Sequence, residues 1–183
     1  LAAADADGYL VEADSENATQ RYLSGLAAPD TFVTLYTPAA VRLLVPGLEY
    51  GRARTDARAD KVKRYADYDR QRLIEEHGER TGRAKLYAAF LAESDVDSVL
   101  VPERFPLGIA DALREEGVTV TVDTDDAVGE VRAVKTDTEI DHVRAAQAAN
   151  ETALARTEEL LAAATVDEAG RLVHDGEPLT SER

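Results

Sequence analysis

Apolar and polar positions change period several times along the chain, and each change marks an element. Gly8-Tyr9-Leu10-Val11 is a short β-favouring run, and Asp14 or Ser15 can cap a helix through Arg21 and Tyr22 that Gly25 stops. Thr31 to Tyr36 and Val41 to Val45 are apolar, β-branched runs. Thr37-Pro38-Ala39-Ala40 joins them, a connection short enough for an antiparallel hairpin. Pro46-Gly47 ends the hairpin; residues 48–58 are expected to be helical, with Gly51 as the weak point, and Val62 to Tyr68 to be a strand. A helix over Asp69 to His77, closed by Gly78, and a second over Arg83 to Ala92 follow. The clearest unit is Val96 to Val101, Leu107 to Glu116 and Val118 to Val122. Strand, crossover helix and strand in that space predict a right-handed parallel βαβ step. Asp123 to Gly129 is expected to turn into a hinge.

After the hinge the period settles at the helical value. Thr136-Asp137-Thr138-Glu139 reads as a capping box, in which Thr136 caps the first free N–H groups and Glu139 reaches back to the Thr136 amide. Ile140, Val143, Gln147, Asn150, Leu154, Thr157 and Leu161 then recur in steps of three and four. No Gly or Pro interrupts the run, so one helix from Asp137 to Ala164 is predicted, about 40 Å long at the helical rise. Its seam is only half apolar, which allows either a terminal surface helix or a connector between domains; the connector fits the flanking segments better. Asp167 to Gly176 is polar and turn-rich, and Leu179-Thr180-Ser181-Glu182 reads as the start of a further helix. The expectation is a fragment that stops inside an element, just as Leu1 to Asp7 reads as a helix end cut short.

The fold class that follows is α/β: a three-layer mixed β-sheet flanked by helices, then a long connecting helix. Its boundaries are an α/β domain over residues 1–134 and a linker helix with the truncated start of another domain over 135–183. The 183 residues are enough to bury a core, and no apolar run is long enough to span a membrane. Cysteine is absent, which excludes disulfides and thiolate metal sites and fits a cytoplasmic location.

Charge narrows the choice of partners. The net charge is −15, and the only lysines are Lys61, Lys63, Lys85 and Lys135, which argues against nucleic acid or an anionic membrane as partner. Acid pairs such as Glu115-Glu116, Asp125-Asp126 and Glu158-Glu159 are spread along the chain. An acidic, Lys-poor, Cys-free, Ala-rich surface resembles that of proteins from salt-loving archaea, where salt screens self-repulsion.

No catalytic constellation emerges from the residues. His77 precedes Gly78 at a helix end, His142 lies beside Asp141 on the long helix, and His174-Asp175-Gly176 is a turn. Each reads first as a solvated surface side chain, since none has companions at metal-ligand spacing. There is no H-E-x-x-H, P-loop or G-x-S-x-G, and Gly47-Leu48-Glu49-Tyr50-Gly51 lacks the spacing of a dinucleotide loop. Asp125-Asp126, and Asp60, Asp67 and Asp69, can in principle bind a cation or exchange protons, but in so acidic a chain they read as surface. Tyr22, Tyr36, Tyr65 and Tyr68 can line a cleft, with core and edge packing the more ordinary role. No catalytic, cofactor-binding or metal-binding residue is therefore assigned.

Two segments carry a resemblance. Asn17 followed by Arg21-Tyr22-Leu23-Ser24-Gly25-Leu26 resembles the N-x-x-Y-L-T/S-G segment near the front of the creatinase/aminopeptidase P family. Val131-Arg132-Ala133-Val134-Lys135-Thr136, with Glu139-Ile140, is similar to that family's R-x-V-K-(S/T)-x-x-E-(I/L) junction. The resemblance covers nearly the whole chain and implies the N-terminal domain of a two-domain Xaa-Pro metallopeptidase. The long helix would be the first helix of its pita-bread catalytic domain. That domain would hold two divalent metals (Mn, Co or Zn) that activate water for attack on short proline-containing peptides. None of the family's ligand positions falls in this sequence. The resemblance also implies packing against its own C-terminal catalytic domain, a homodimer, and restriction of substrate access. The alternatives are a creatinase-like amidinohydrolase, a metal-free pseudoenzyme, or a free-standing α/β module for interaction or small-ligand binding.

Overall fold

Strand alternation places successive side chains on opposite faces of one central sheet. In a computed structural model, residues 5–180 are described, and the chain divides into two compact units, 1–132 and 133–183. The first unit holds six strands: β1 (Gly8–Ala13), β2 (Phe32–Tyr36), β3 (Val41–Val45), β4 (Lys61–Arg64), β5 (Ser98–Pro102) and β6 (Thr119–Asp123). Their order is β4-β3-β2-β1-β5-β6. β1–β2 and β2–β3 are antiparallel, while β1–β5, β3–β4 and β5–β6 are parallel. The hairpin and the parallel βαβ step predicted from sequence are both present, with the helix α4 (Leu107–Glu115, numbered in chain order after α1 to α3 below) between β5 and β6.

Three further helices precede α4: α1 (Ala18–Ser24), α2 (Tyr50–Asp56) and α3 (Arg70–Ala92). One face of the sheet carries Leu10, Val33, Leu35, Leu44, Val99, Val101 and Val120. These pack against Leu86, Tyr87, Phe90 and Leu91 of α3 and Ile109 and Leu113 of α4. Burying each large apolar side chain contributes roughly 1.5–3 kcal/mol, so this is the principal core. The other face is split. Phe32, Leu43 and Val45 meet Ala53 of α2 with Leu26 and Ala28, while Tyr9, Val11 and Leu100 form a smaller group with Leu23.

α3 is interrupted where the sequence places a stop. Gly78 has φ 78° and ψ 166°, outside the helical region, so 70–77 and 79–92 are two helical segments meeting at a corner. The corner is tight: a Cβ at Gly82 would lie 2.7 Å from the Leu73 carbonyl oxygen. The two segments touch there.

Several local expectations are corrected. The cap of α1 is Asn17, whose Oδ1 accepts from the Gln20 amide at 3.0 Å; Asp14 instead accepts from the Glu16 amide in the preceding turn. The helix expected over 48–58 is confined to Tyr50–Asp56 by turn hydrogen bonds to Pro46 and by extended backbone at Ala57. The strand expected to run to Tyr68 ends at Arg64 and passes into a 3₁₀ turn, Tyr65–Tyr68. Asp67 causes this by accepting the Arg64 amide at 2.9 Å and pairing with its guanidinium at 2.7 Å. The expected turn after β6 winds into a short helix, α5 (Ala127–Ala133), whose first amide donates to Asp123 Oδ2 at 2.9 Å.

The second unit begins with α6 (Asp137–Ala163), the predicted long helix. Its capping box is present: Thr136 Oγ1 accepts the Glu139 amide and Glu139 Oε2 accepts the Thr136 amide at 2.8 Å. The segment read only as turn-rich forms a three-stranded antiparallel sheet of β7 (Thr165–Val166), β8 (Leu172–His174) and β9 (Glu177–Pro178). Asp175 and Gly176, both at positive φ, make the tight turn between β8 and β9. The helix expected from Leu179 to Glu182 falls partly outside the described residues, and Leu179 itself donates to the Leu172 carbonyl. The helix end read before Asp7 also falls largely outside them.

One carboxylate clasps the β4 edge of the sheet to the end of α3. Glu93 accepts from Lys61 at 2.5 Å, from the Tyr68 hydroxyl at 2.5 Å and from Lys63 at 2.9 Å. The Lys61, Tyr68 and Lys63 hydrogen bonds hold its carboxyl down at about 2, against 4.5 ordinarily. A depressed folded-state pKa stabilises the fold above the unfolded value and loses that contribution as pH falls through the folded one. Glu93→Gln is therefore expected to lower the urea midpoint at neutral pH. The gap from the parent should narrow as pH falls from 4.5 towards 2.

Candidate functional site

The residues singled out for chemistry remain apart. His77 Nε2 lies 3.7 Å from Glu76, His142 stands on α6, and His174 lies 3.4 Å from Asp175. Among the described residues no three His, Asp or Glu side chains gather into a group that could hold a metal ion. Three of the carboxylates singled out are engaged in local structure. Asp60 accepts the Val41 amide at 2.8 Å, Asp67 caps the 3₁₀ turn, and Asp126 accepts the Gly129 amide at 3.3 Å. The tyrosines divide by role: Tyr68 packs edge-on against Phe90 at 6.1 Å, while Tyr22 and Tyr36 line an open groove.

That groove is the candidate site of the first unit. It encloses about 340 Å³ between Tyr9, Tyr36 and Leu100 of the sheet, Tyr22 and Leu23 of α1, and Ala127, Val128 and Val131 of α5. Tyr36 is 38% exposed and Val131 61%. The groove exists because α1 and α5 are only two turns each and cannot roof the strands beneath them. Two polar anchors fix its walls. Gln20, fully buried, donates from Nε2 to the Ala13 and Phe32 carbonyls at 3.2 and 2.8 Å, holding α1 across the ends of β1 and β2. The Tyr9 hydroxyl donates to Asp123 Oδ2 at 3.0 Å, and the same oxygen holds the first turn of α5. Burial pushes the Tyr9 phenol well up, reinforced by its bond to Asp123, so it stays a donor.

The second unit offers a different surface. α6 has no buried residue, and Val143, Leu154 and Leu161 are 60%, 62% and 51% exposed. These fall on the helical face read from the sequence. The exposed pairs Asp141–Arg144 and Glu159–Arg156 contribute only tenths of a kcal/mol each. Chemically, both surfaces are suited to packing against another protein surface and carry no reactive group.

Sequence reading missed both anchors. Gln20 has no pattern of its own, and Asp123 was read as part of a turn. Its position at the end of a predicted strand, four residues before an alanine-valine pair, is the only local signal of a cap.

Comparison with known proteins bears on the same residues. A family model described as Creatinase/Prolidase N-terminal domain matches residues 1–134. Among solved structures, the X-Pro aminopeptidase of Thermotoga maritima MSB8 is 17% identical with a TM-score of 0.65, covering 90% of this chain and 44% of that one. The prolidase of Pyrococcus horikoshii OT3 is 20% identical with a TM-score of 0.58, covering 86% and 40%. The Xaa-Pro dipeptidase of Bacillus anthracis is 16% identical with a TM-score of 0.57, covering 76% and 35%. The chain thus spans less than half the length of these three. No curated protein sequence is matched.

Within the groove, Tyr9→Phe tests the anchor of α5. It leaves a 5%-exposed carboxylate at Asp123 short of one donor, which costs about 1–3 kcal/mol. The expected outcome is a urea midpoint lowered accordingly.

Proposed function

The chain belongs to the creatinase/prolidase N-terminal domain family, and from that premise we propose that it is the non-catalytic front domain of a metal-dependent Xaa-Pro aminopeptidase or dipeptidase. In this reading a C-terminal domain carries two divalent metals (Mn, Co or Zn) and the hydrolytic chemistry. The residues described here hold no metal and serve by shape. The domain docks on the catalytic domain, helps two copies associate, and narrows the approach so that only short proline-containing peptides enter.

The observation that carries the reading is a family match that ends at residue 134, followed at once by a helix that buries none of its side chains. Most helical stability in proteins comes from packing an apolar face, and the apolar positions of this helix call for a cover. The shared fold and the share of the relatives' length that is spanned support the same assignment. Size exclusion needs no nucleophile, base or metal of its own, which agrees with the scattered histidines and engaged carboxylates.

The test compares three proteins: the parent with its C-terminal domain, the parent lacking residues 1–134, and the 183-residue chain. With added divalent metal, the parent is expected to hydrolyse Xaa-Pro dipeptides or short peptides. The truncated parent should accept longer peptides more readily, and the 183-residue chain should release nothing. Xaa-Pro cleavage by the 183-residue chain itself would overturn the proposal.

The charge points to a working environment. With a net charge of −15 over 183 residues, self-repulsion opposes compaction and is screened by salt. A cytoplasm of high ionic strength, as in salt-loving archaea, suits this surface, and the lack of cysteine suits a reducing compartment. The melting temperature is expected to climb steadily from dilute buffer to molar KCl; a flat profile would remove this part of the reading.

A further inference from the structure

A second cavity lies on the opposite face of the sheet from the apolar groove, at the corner of α3. It encloses about 390 Å³, the low end of the range for small-molecule sites, and is lined by Glu12, Thr31, Pro46, Tyr65, Arg70 and Glu79, with Arg83, Leu86 and Tyr87 behind them. Glu12 shares its face of β1 with Leu10, so alternation places a carboxylate where the principal core ends. Its side chain is only 4% exposed. Oε1 pairs with the Arg83 guanidinium, while Oε2 is buried with no hydrogen-bond partner. Such an orphaned carboxylate oxygen is costly unless a donor fills the place.

The rest of the lining limits what that donor can be. Arg70 and Glu79 stand on either side of the Gly78 corner, 3.2 Å apart, with side chains 44% and 58% exposed at the mouth. Two carboxylates and two guanidinium groups thus face the cavity, with no net charge. A bare anion is disfavoured by the −15 chain, and a bare metal cation by the two arginines. A molecule carrying one ammonium and one carboxylate matches both. Tyr65, Tyr87 and Leu86 supply an apolar wall, and the Tyr65 hydroxyl is turned to the Thr31 carbonyl at 3.3 Å. Burial raises the Tyr65 phenol to about 12 and Tyr87 higher still, so neither adds a charge at neutral pH.

We propose that this cleft binds a free α-amino acid, its ammonium donating to the unpartnered oxygen of Glu12 and its carboxylate taken by Arg70 at the mouth. The side chain lies along Leu86 and the two tyrosines. This site is independent of the peptidase reading: it needs no second domain and no metal, and it stands if that reading fails.

The test is calorimetric titration of the 183-residue chain with L-leucine, L-leucinamide and N-acetyl-L-leucine. L-leucine is expected to bind saturably. Each blocked compound, lacking one charge, is expected to bind at least about tenfold more weakly, the loss of one charge-assisted hydrogen bond. Glu12→Gln should weaken L-leucine binding by a similar factor. Because a change at a buried position can disturb folding, Arg70→Ala at the exposed mouth is the second variant. It should weaken L-leucine about tenfold while leaving leucinamide unchanged, with the circular dichroism spectrum of the parent retained. No saturable heat with L-leucine, or binding of L-leucinamide or N-acetyl-L-leucine as tight as that of L-leucine, would overturn the proposal.

Discussion

The structure depends on keeping both faces of one six-stranded sheet out of water with covers of unequal size. On the side of Leu10, Leu35 and Val99, the long α3 and the amphipathic α4 supply enough apolar surface to close a continuous core. On the other side the same strands present Phe32, Leu43, Tyr9 and Leu100, but α1, α2 and α5 are seven residues each. Helices of two turns cannot span six strands about 4.8 Å apart. The apolar groove at Tyr36 and Val131 is what remains uncovered, a direct result of helix length and not of any motif.

Short helices with little apolar contact are held instead by polar groups placed at their ends. Gln20 joins α1 to two strand ends, Asp123 joins α5 to Tyr9, and Glu93 joins β4 to the end of α3. Gln20 and Asp123 are buried, Glu93 is exposed, and each bridges separate elements of the fold. Hydrogen bonds to such groups contribute modestly when made and cost far more when one partner is missing. The periphery of the domain therefore owes its geometry to a few exacting bonds, while its centre owes it to many tolerant ones.

This division also explains what the sequence could reveal. The hairpin of β2 and β3, the βαβ step from β5 to β6, the break at Gly78 and the capping box at Thr136 all follow from short-range pattern and turn chemistry, and all are present. What escaped depends on partners far along the chain or on competing local bonds. Asp14 is a good cap by type but is already used in its own turn, so Asn17 takes the role. Asp67 draws Arg64 back and ends a strand that β-propensity would have extended. The β7–β9 sheet has strands of two and three residues, too short for alternation to register. As for the sites, tyrosines near a cleft were foreseeable, but the pairing of Glu12 with Arg83 spans most of the first unit and no spacing rule reaches that far.

A helix of 27 residues is also a lever. At about 1.5 Å per residue its ends lie roughly 40 Å apart, so a pivot of ten degrees at one end swings the other by about 7 Å. In the reading proposed above, a catalytic domain would steady this lever along its shaft, through the exposed Val143, Leu154 and Leu161.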